Sequence, residues 1–248
     1  MFNDNYTTFN RWLLFFGFIV ALLFVSYDYG LIEILINNDK SYLSLAIIVF
    51  FVISSFYVGY LSYRLGTETR LSIELTKKAK QGDVLFSPLC SVAQIADPDM
   101  SPSYAKDHVE LLANKVLVSG KMSGHDALLD RLDNKIRRGH ETGWFISDLM
   151  VRLGLLGTVI GFILMLGSLT TVSSIDLQTL QKLLTQMTAG MQVALYTTLS
   201  GLTAGILLSF QYQLLDQGAN RLMSDIIELS EVHILRHLTN LGGSSNVS

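Results

Sequence analysis

The chain has 248 residues, half of them apolar, with only 16% charged, a formal net charge of −3 and a mean hydropathy of +0.40. That is too apolar for an ordinary soluble domain of this length and suits a chain that crosses a bilayer several times. The small negative charge gives no reason to expect nucleic-acid binding.

A helix needs roughly 20 mostly apolar residues to cross the hydrocarbon core. Four windows free of charge meet or approach that length: Trp12 to Tyr27, Ser41 to Tyr63, Leu153 to Ile175, and the run between Lys182 and Asp216. The first is short and carries Gly17, so it must draw on Asn10, Arg11 and Asp28 at its ends. Met1 to Asn10 contain no cation and no A-x-A-like site follows Val25, so this segment is expected to be retained as a span rather than cleaved. Arg64, Arg70, Lys77, Lys78 and Lys80 follow the second window, and Arg131, Lys135, Arg137 and Arg138 precede the third. The short connections 28–40 and 172–186 hold only Lys40 and Lys182. The cation bias therefore places the central section, and with an even number of spans both termini, in the cytoplasm. Trp12 and Trp144 are read as interfacial aromatics on that side.

Between the second and third windows the three prolines, Pro88, Pro98 and Pro102, mark a non-helical elbow. Leu65 to Gln81 is expected to continue the second span as a charged helix ended by Gly82. Ser103 starts a helix running to about Gly120, and Ser123 another through Leu128, Leu129, Leu132 and Ile136. After the fourth window, Leu215, Ala219, Leu222, Ile226 and Leu229 recur near a 3.5-residue spacing, which predicts a helical tail packed on sister helices and fraying at Gly242 to Ser245. The fold class is thus all-α: four transmembrane helices in two hairpins. The sections are a first hairpin (1–63), a cytoplasmic helical section (64–147), a second hairpin (148–210) and a cytoplasmic helical tail (211–248).

The second hairpin carries the chemistry-bearing pattern. Leu153 to Gly161 read L-G-L-L-G-T-V-I-G, and Gly190 to Gly205 read G-M-Q-V-A-L-Y-T-T-L-S-G-L-T-A-G. Gly154, Gly157 and Gly161 make one smooth helical stripe, which Gly190, Ala194, Gly201 and Gly205 answer from the next helix, so two backbones can approach closely. Thr158, Thr197, Thr198 and Thr203 add hydroxyls; any one of them taken alone is accounted for by a bond to its own helix. No acid, base or histidine lies inside either window, although an ion path normally needs a titratable group at membrane depth. If ions cross here, a partner must bring the carboxylate.

Leu153 to Gly161 and Ala194 to Leu202 resemble the MotA/TolQ/ExbB proton-channel family, with L-G-L-L-G-T-V-x-G in one helix and A-L-x-x-T-x-x-G-L in the next, across roughly residues 145–215. The resemblance implies an ion-pathway role for Thr158 and Thr198, with Thr197 beside them. It implies helix-packing and pore-lining roles for the glycines and Ala194. An apolar barrier is expected at Leu155, Val159 and Phe162. It further implies five copies in a bacterial inner membrane around two single-span partners of the TolR/ExbD/MotB type, whose aspartate carries H+, or Na+. Such complexes couple ion flow to rotation or mechanical work. Val151 with Arg152 stands where the family often has proline, and Val193 where TolQ and ExbB commonly carry glutamate. The rival classes are a secondary transporter and a passive membrane scaffold. No enzymatic activity, bound cofactor or metal is expected: His233 and His237, one turn apart, lack an H-E-x-x-H pattern. The single Cys90 permits no disulfide within the chain. His108, His125 and His140 are scattered, and Arg137 and Arg138 are read as facing headgroups or a neighbouring acidic helix.

Overall fold

The computed structural model describes residues 7–30, 32, 33, 35, 41–81, 103–119, 125–167 and 177–234. The proline elbow, Cys90, His237 and the terminal glycines lie outside them. Among the described residues there are five α-helices: α1 (Thr7–Asp28), α2 (Leu43–Gln81), α3 (Tyr104–Ser119), α4 (His125–Gly167) and α5 (Leu177–Glu228), the last followed by a π-helical turn, Leu229–Ile234. Among the described residues there is no strand. The helices α1, α2, α4 and α5 are each long and apolar enough to cross a membrane. The protein is an all-α, multi-pass membrane protein.

Local chemistry sets the helix ends. Gly30, at φ +68°, closes α1, with its N–H donating to the Tyr27 carbonyl; the left-handed backbone costs glycine nothing. Ser103 caps α3, its hydroxyl accepting from the Lys106 N–H at 3.2 Å. The 43-residue α4 joins the expected cytoplasmic helix and third span into one rod, because no proline or charge-breaking turn lies between them. The connection expected at 172–186 is partly helical, since α5 begins at Leu177. Leu-Gln-Thr-Leu-Gln-Lys contains no breaker, and a single lysine near a span end reaches the interface without ending the helix.

The chain forms two compact units. The first takes residues 12–59 and 141–213, the second 1–11, 60–140 and 214–248. In the first, which holds the apolar windows, Trp12, Ile19, Ile47, Phe51, Val58, Met150, Val193, Leu208 and Tyr212 are buried, while Phe18, Phe24, Ile53, Phe56, Leu195 and Ile206 are exposed. An apolar exterior of this kind is at home in lipid. Trp12 is a correction to the interfacial reading: it is 7% exposed. Its indole N–H donates to Gln211 Oε1 at 3.1 Å, and its ring fills the space left by Gly59. Ser55 donates to the same oxygen at 2.9 Å, so one amide ties α1, α2 and α5. Trp144, in contrast, is 42% exposed.

In the second unit, the stripe Leu215, Ala219, Leu222, Ile226 and Leu229 is buried within the chain itself. This corrects the expectation of sister helices: Leu65, Leu75, Val109, Leu112, Leu132 and Ile136 are buried in the same unit, and Thr8 with Leu65 closes over Gly218. The helix α3 is tied by its first residue. The Tyr104 N–H donates to Glu68 at 2.8 Å, and the Tyr104 hydroxyl accepts from Arg64 at 2.6 Å. The carboxyl of Glu68 is raised above its ordinary range by burial, against the lowering influence of the Tyr104 N–H and Arg64.

Candidate functional site

The glycine stripes meet. A Cβ added to Gly161 would fall 2.6 Å from the Ala194 nitrogen and 2.7 Å from the Gly190 carbonyl oxygen, and one on Gly201 would fall 2.7 Å from the Gly154 Cα. Gly190 lies against the Met165 and Gly161 backbones, and Gly205 against Val151 and the Ser147 carbonyl. The helices α4 and α5 therefore run antiparallel with their backbones in contact along Gly154, Gly157 and Gly161 on one side and Gly190, Ala194, Gly201 and Gly205 on the other. Lipid tails are as apolar as the helices, so close van der Waals packing of this kind replaces the hydrophobic drive available in water. The seam ends in polar contacts: Ser147 donates to the Gly205 carbonyl at 2.8 Å and shares a hydrogen bond with Ser209 at 2.6 Å.

The three threonines take different places. Thr197 is fully buried, with Gly157 directly opposite and its hydroxyl donating to the Val193 carbonyl at 2.9 Å and the Ala194 carbonyl at 3.1 Å. It is a seam residue, held between α4 and α5. Thr198 is half-buried at the seam's edge and donates across it to the Gly154 carbonyl at 3.1 Å, as well as to Ala194 at 3.0 Å. Thr158 is half-buried and donates to the Leu155 carbonyl at 2.6 Å. Each hydroxyl keeps a lone pair able to accept from water or to meet a cation.

Leu155, Val159 and Phe162 are 54%, 55% and 55% exposed. Their spacing of four and three residues sets them on one face of α4, away from the buried glycines. Thr158 is a near neighbour on that helix. The structure thus assembles a buried small-residue seam and, beside it, an open apolar strip, with the hydroxyls of Thr158 and Thr198 between the two extremes of exposure.

Several polar residues of α4 and α5 escape a reading of short-range spacing. His140, 6% exposed, is hydrogen-bonded to Asp216, and Arg137 bonds both Asp133 at 2.6 Å and Asn220. Arg137 is thus engaged within the chain, by its own helix and by Asn220 of α5. Asp148 and Arg152 pair on the exposed surface of α4; their i, i+4 spacing was the available signal. Among the described residues no group of three or more His, Cys, Asp or Glu side chains is placed to hold a metal ion.

A polytopic helical membrane protein whose last two long helices are locked by a glycine seam is the class that this geometry defines. Residues 124–228, from the start of α4 to the end of α5, match the sequence model of the MotA/TolQ/ExbB proton channel family, and this segment of the chain is similar to that family. The match extends beyond the 145–215 over which the motifs resemble it, and α1, α2 and α3 lie outside it. Neither a curated protein nor a solved structure matches the chain. The family that this segment resembles is one of proton channels.

Proposed function

We propose that this chain is the ring-forming, ion-conducting subunit of an inner-membrane motor complex. Five copies surround two single-span partner subunits of the TolR/ExbD/MotB type, and an aspartate on each partner helix carries the ion. Both termini and the section between the hairpins are cytoplasmic. The chain itself is neither an enzyme nor the holder of a cofactor; the transported ion is H+, with Na+ suited to the same oxygens.

The observation that carries this reading is the open strip of Leu155, Val159 and Phe162, flanked by Thr158 and Thr198 in helices that hold no acid between Leu153 and Ile175 or between Lys182 and Asp216. A charged carboxylate would cross such a wall only at a cost of several kcal/mol. Protonated from the outer side, it passes, and loss of the proton on the cytoplasmic side restores the charge and fixes the new position. The membrane potential contributes about 2.3 kcal/mol per elementary charge per 100 mV to each passage. Thr158 and Thr198 offer oxygens to the ion or its waters along the way.

Proton flux in vesicles containing the chain and its native partner tests the assignment. Thr158→Val and Thr198→Val are expected to leave assembly intact and stop flux; unchanged flux in both rejects their roles. Intact-complex mass spectrometry should give five copies with two partner chains, whereas a lone monomer favours a transporter and a closed homo-oligomer without partner a scaffold. Collapse of a pH difference by the purified chain alone overturns the partner-borne carboxylate.

A further inference from the structure

One ion pair shares the face of the apolar strip. Arg152 lies one turn beyond Asp148 on α4, its guanidinium within hydrogen-bond distance of the Asp148 carboxylate, and the two side chains are 69% and 54% exposed. Stepping on from Arg152 by three, four and three residues reaches Leu155, Val159 and Phe162. Helical geometry sets all five on one face, while Met150, Gly154, Gly157 and Gly161 are buried. Arg152 is therefore the first charge met at the N-terminal end of the wall, which is the cytoplasmic end in the orientation given above. An exposed pair of this spacing adds little to helix stability, so stability alone gives no reason for two charges at the rim of a charge-free run.

We propose that Arg152 is the docking cation for a carboxylate carried on a partner's apolar helix, and that Asp148 is the resident counter-ion which this carboxylate displaces. The inference rests on the partner-borne carboxylate of the preceding reading. Three features support it. The guanidinium presents a planar fork of donors matched to a carboxylate. It stands one turn from Leu155, where an acid leaving the wall arrives. A neighbouring arginine favours the ionised form of an acid, so the acid's O–H bond breaks there, its proton passes to water, and the carboxylate that remains is held. Asp148, once displaced, is open to water and loses little.

The test uses the full chain in lipid vesicles with a defined probe: a synthetic leucine-alanine transmembrane helix bearing one aspartate at the depth of Arg152, and its asparagine counterpart. Association is read by energy transfer between labels. The aspartate helix is expected to bind more tightly than the asparagine helix, and Arg152→Gln should reduce that preference about tenfold. Asp148→Asn should enlarge it, because the guanidinium is then unoccupied; a misfolded variant cannot produce a gain. A preference untouched by Arg152→Gln, or weakened by Asp148→Asn, overturns the proposal. Subunit counting on the same vesicles reports separately on the ring: an Arg152-dependent preference without five copies would reject the ring and retain the docking cation.

Discussion

Gly157 lies directly against Thr197: a Cβ built on the glycine would stand 2.1 Å from the threonine Oγ1 and 2.4 Å from its Cβ. The threonine has no easy retreat, because its hydroxyl is bonded to the Val193 carbonyl and its branched side chain resists rotation. Adding one methyl group must therefore push α4 and α5 apart. Gly157→Ala and Gly161→Ala are each expected to destabilise the protein by about 1–3 kcal/mol, as overpacking does elsewhere. Gly17→Ala, with nothing within 4 Å of its new Cβ, should be neutral or stabilise by up to about 1 kcal/mol. Thermal unfolding in detergent would measure the contrast, and equal losses at all three positions would reject the seam as the cause.

The amide of Gln211 gives a second ordered set. Gln211→Leu leaves the buried Trp12 N–H without its acceptor and also releases Ser55, for an expected loss of about 1–3 kcal/mol. Ser55→Ala retains the Trp12 bond and should cost less, about 1 kcal/mol. The order of the two in denaturant unfolding, more than either magnitude, is the check.

Much of this architecture was legible because lipid imposes simple demands. Charge-free windows locate α1, α2, α4 and α5, since a bilayer tolerates neither frequent charge nor unpaired backbone. The seam was also legible, because Gly154, Gly157 and Gly161 recur at helical spacing and a bare stripe has meaning only against another backbone. Trp12 was not: its acceptor Gln211 stands 199 residues away, and a tryptophan at a span edge has the same local pattern whether it faces headgroups or a neighbouring helix. The tail stripe shows the same limit, since its period specifies an apolar helix face and not whether that face is covered by this chain or another. Thr197 and Thr198 are adjacent in sequence, yet a rotation of about 100° per residue sends one into the seam and leaves the other at its edge.

The stability of the unit that holds Glu68 should depend on pH. Burial raises the Glu68 carboxyl above its ordinary value, and burial followed by Glu228 does the same to Asp225. For each, the folded state binds the proton more tightly than the unfolded chain. Stability from the protonated form is thus complete below the unfolded value of about 4 and is lost as pH rises through the raised folded value. Glu68→Gln removes the charge while an oxygen still accepts from the Tyr104 N–H, so it should raise the melting temperature at pH 7–8, with the difference closing toward pH 4. A lower melting temperature at neutral pH would show that the ionised carboxylate is net favourable.

Two side-chain contacts to carboxylates in the same unit should differ in value because they differ in burial. His140 is 6% and Asp216 25% exposed, whereas Lys135 and Asp107, 2.8 Å apart, are 51% and 47% exposed. An exposed pair is screened and its long side chain must be held in place, so Lys135→Met should cost less than about 1 kcal/mol even though the ammonium also lies 5.1 Å from the Tyr104 ring centroid. His140→Ala withdraws a buried partner from a mostly buried carboxylate and should cost about 1–3 kcal/mol. Asp216→Asn, which keeps a polar group opposite the imidazole, should fall between the two. Denaturant unfolding of the three variants decides the matter, and a loss for Lys135→Met equal to that for His140→Ala would mean that burial does not set the strength of these contacts.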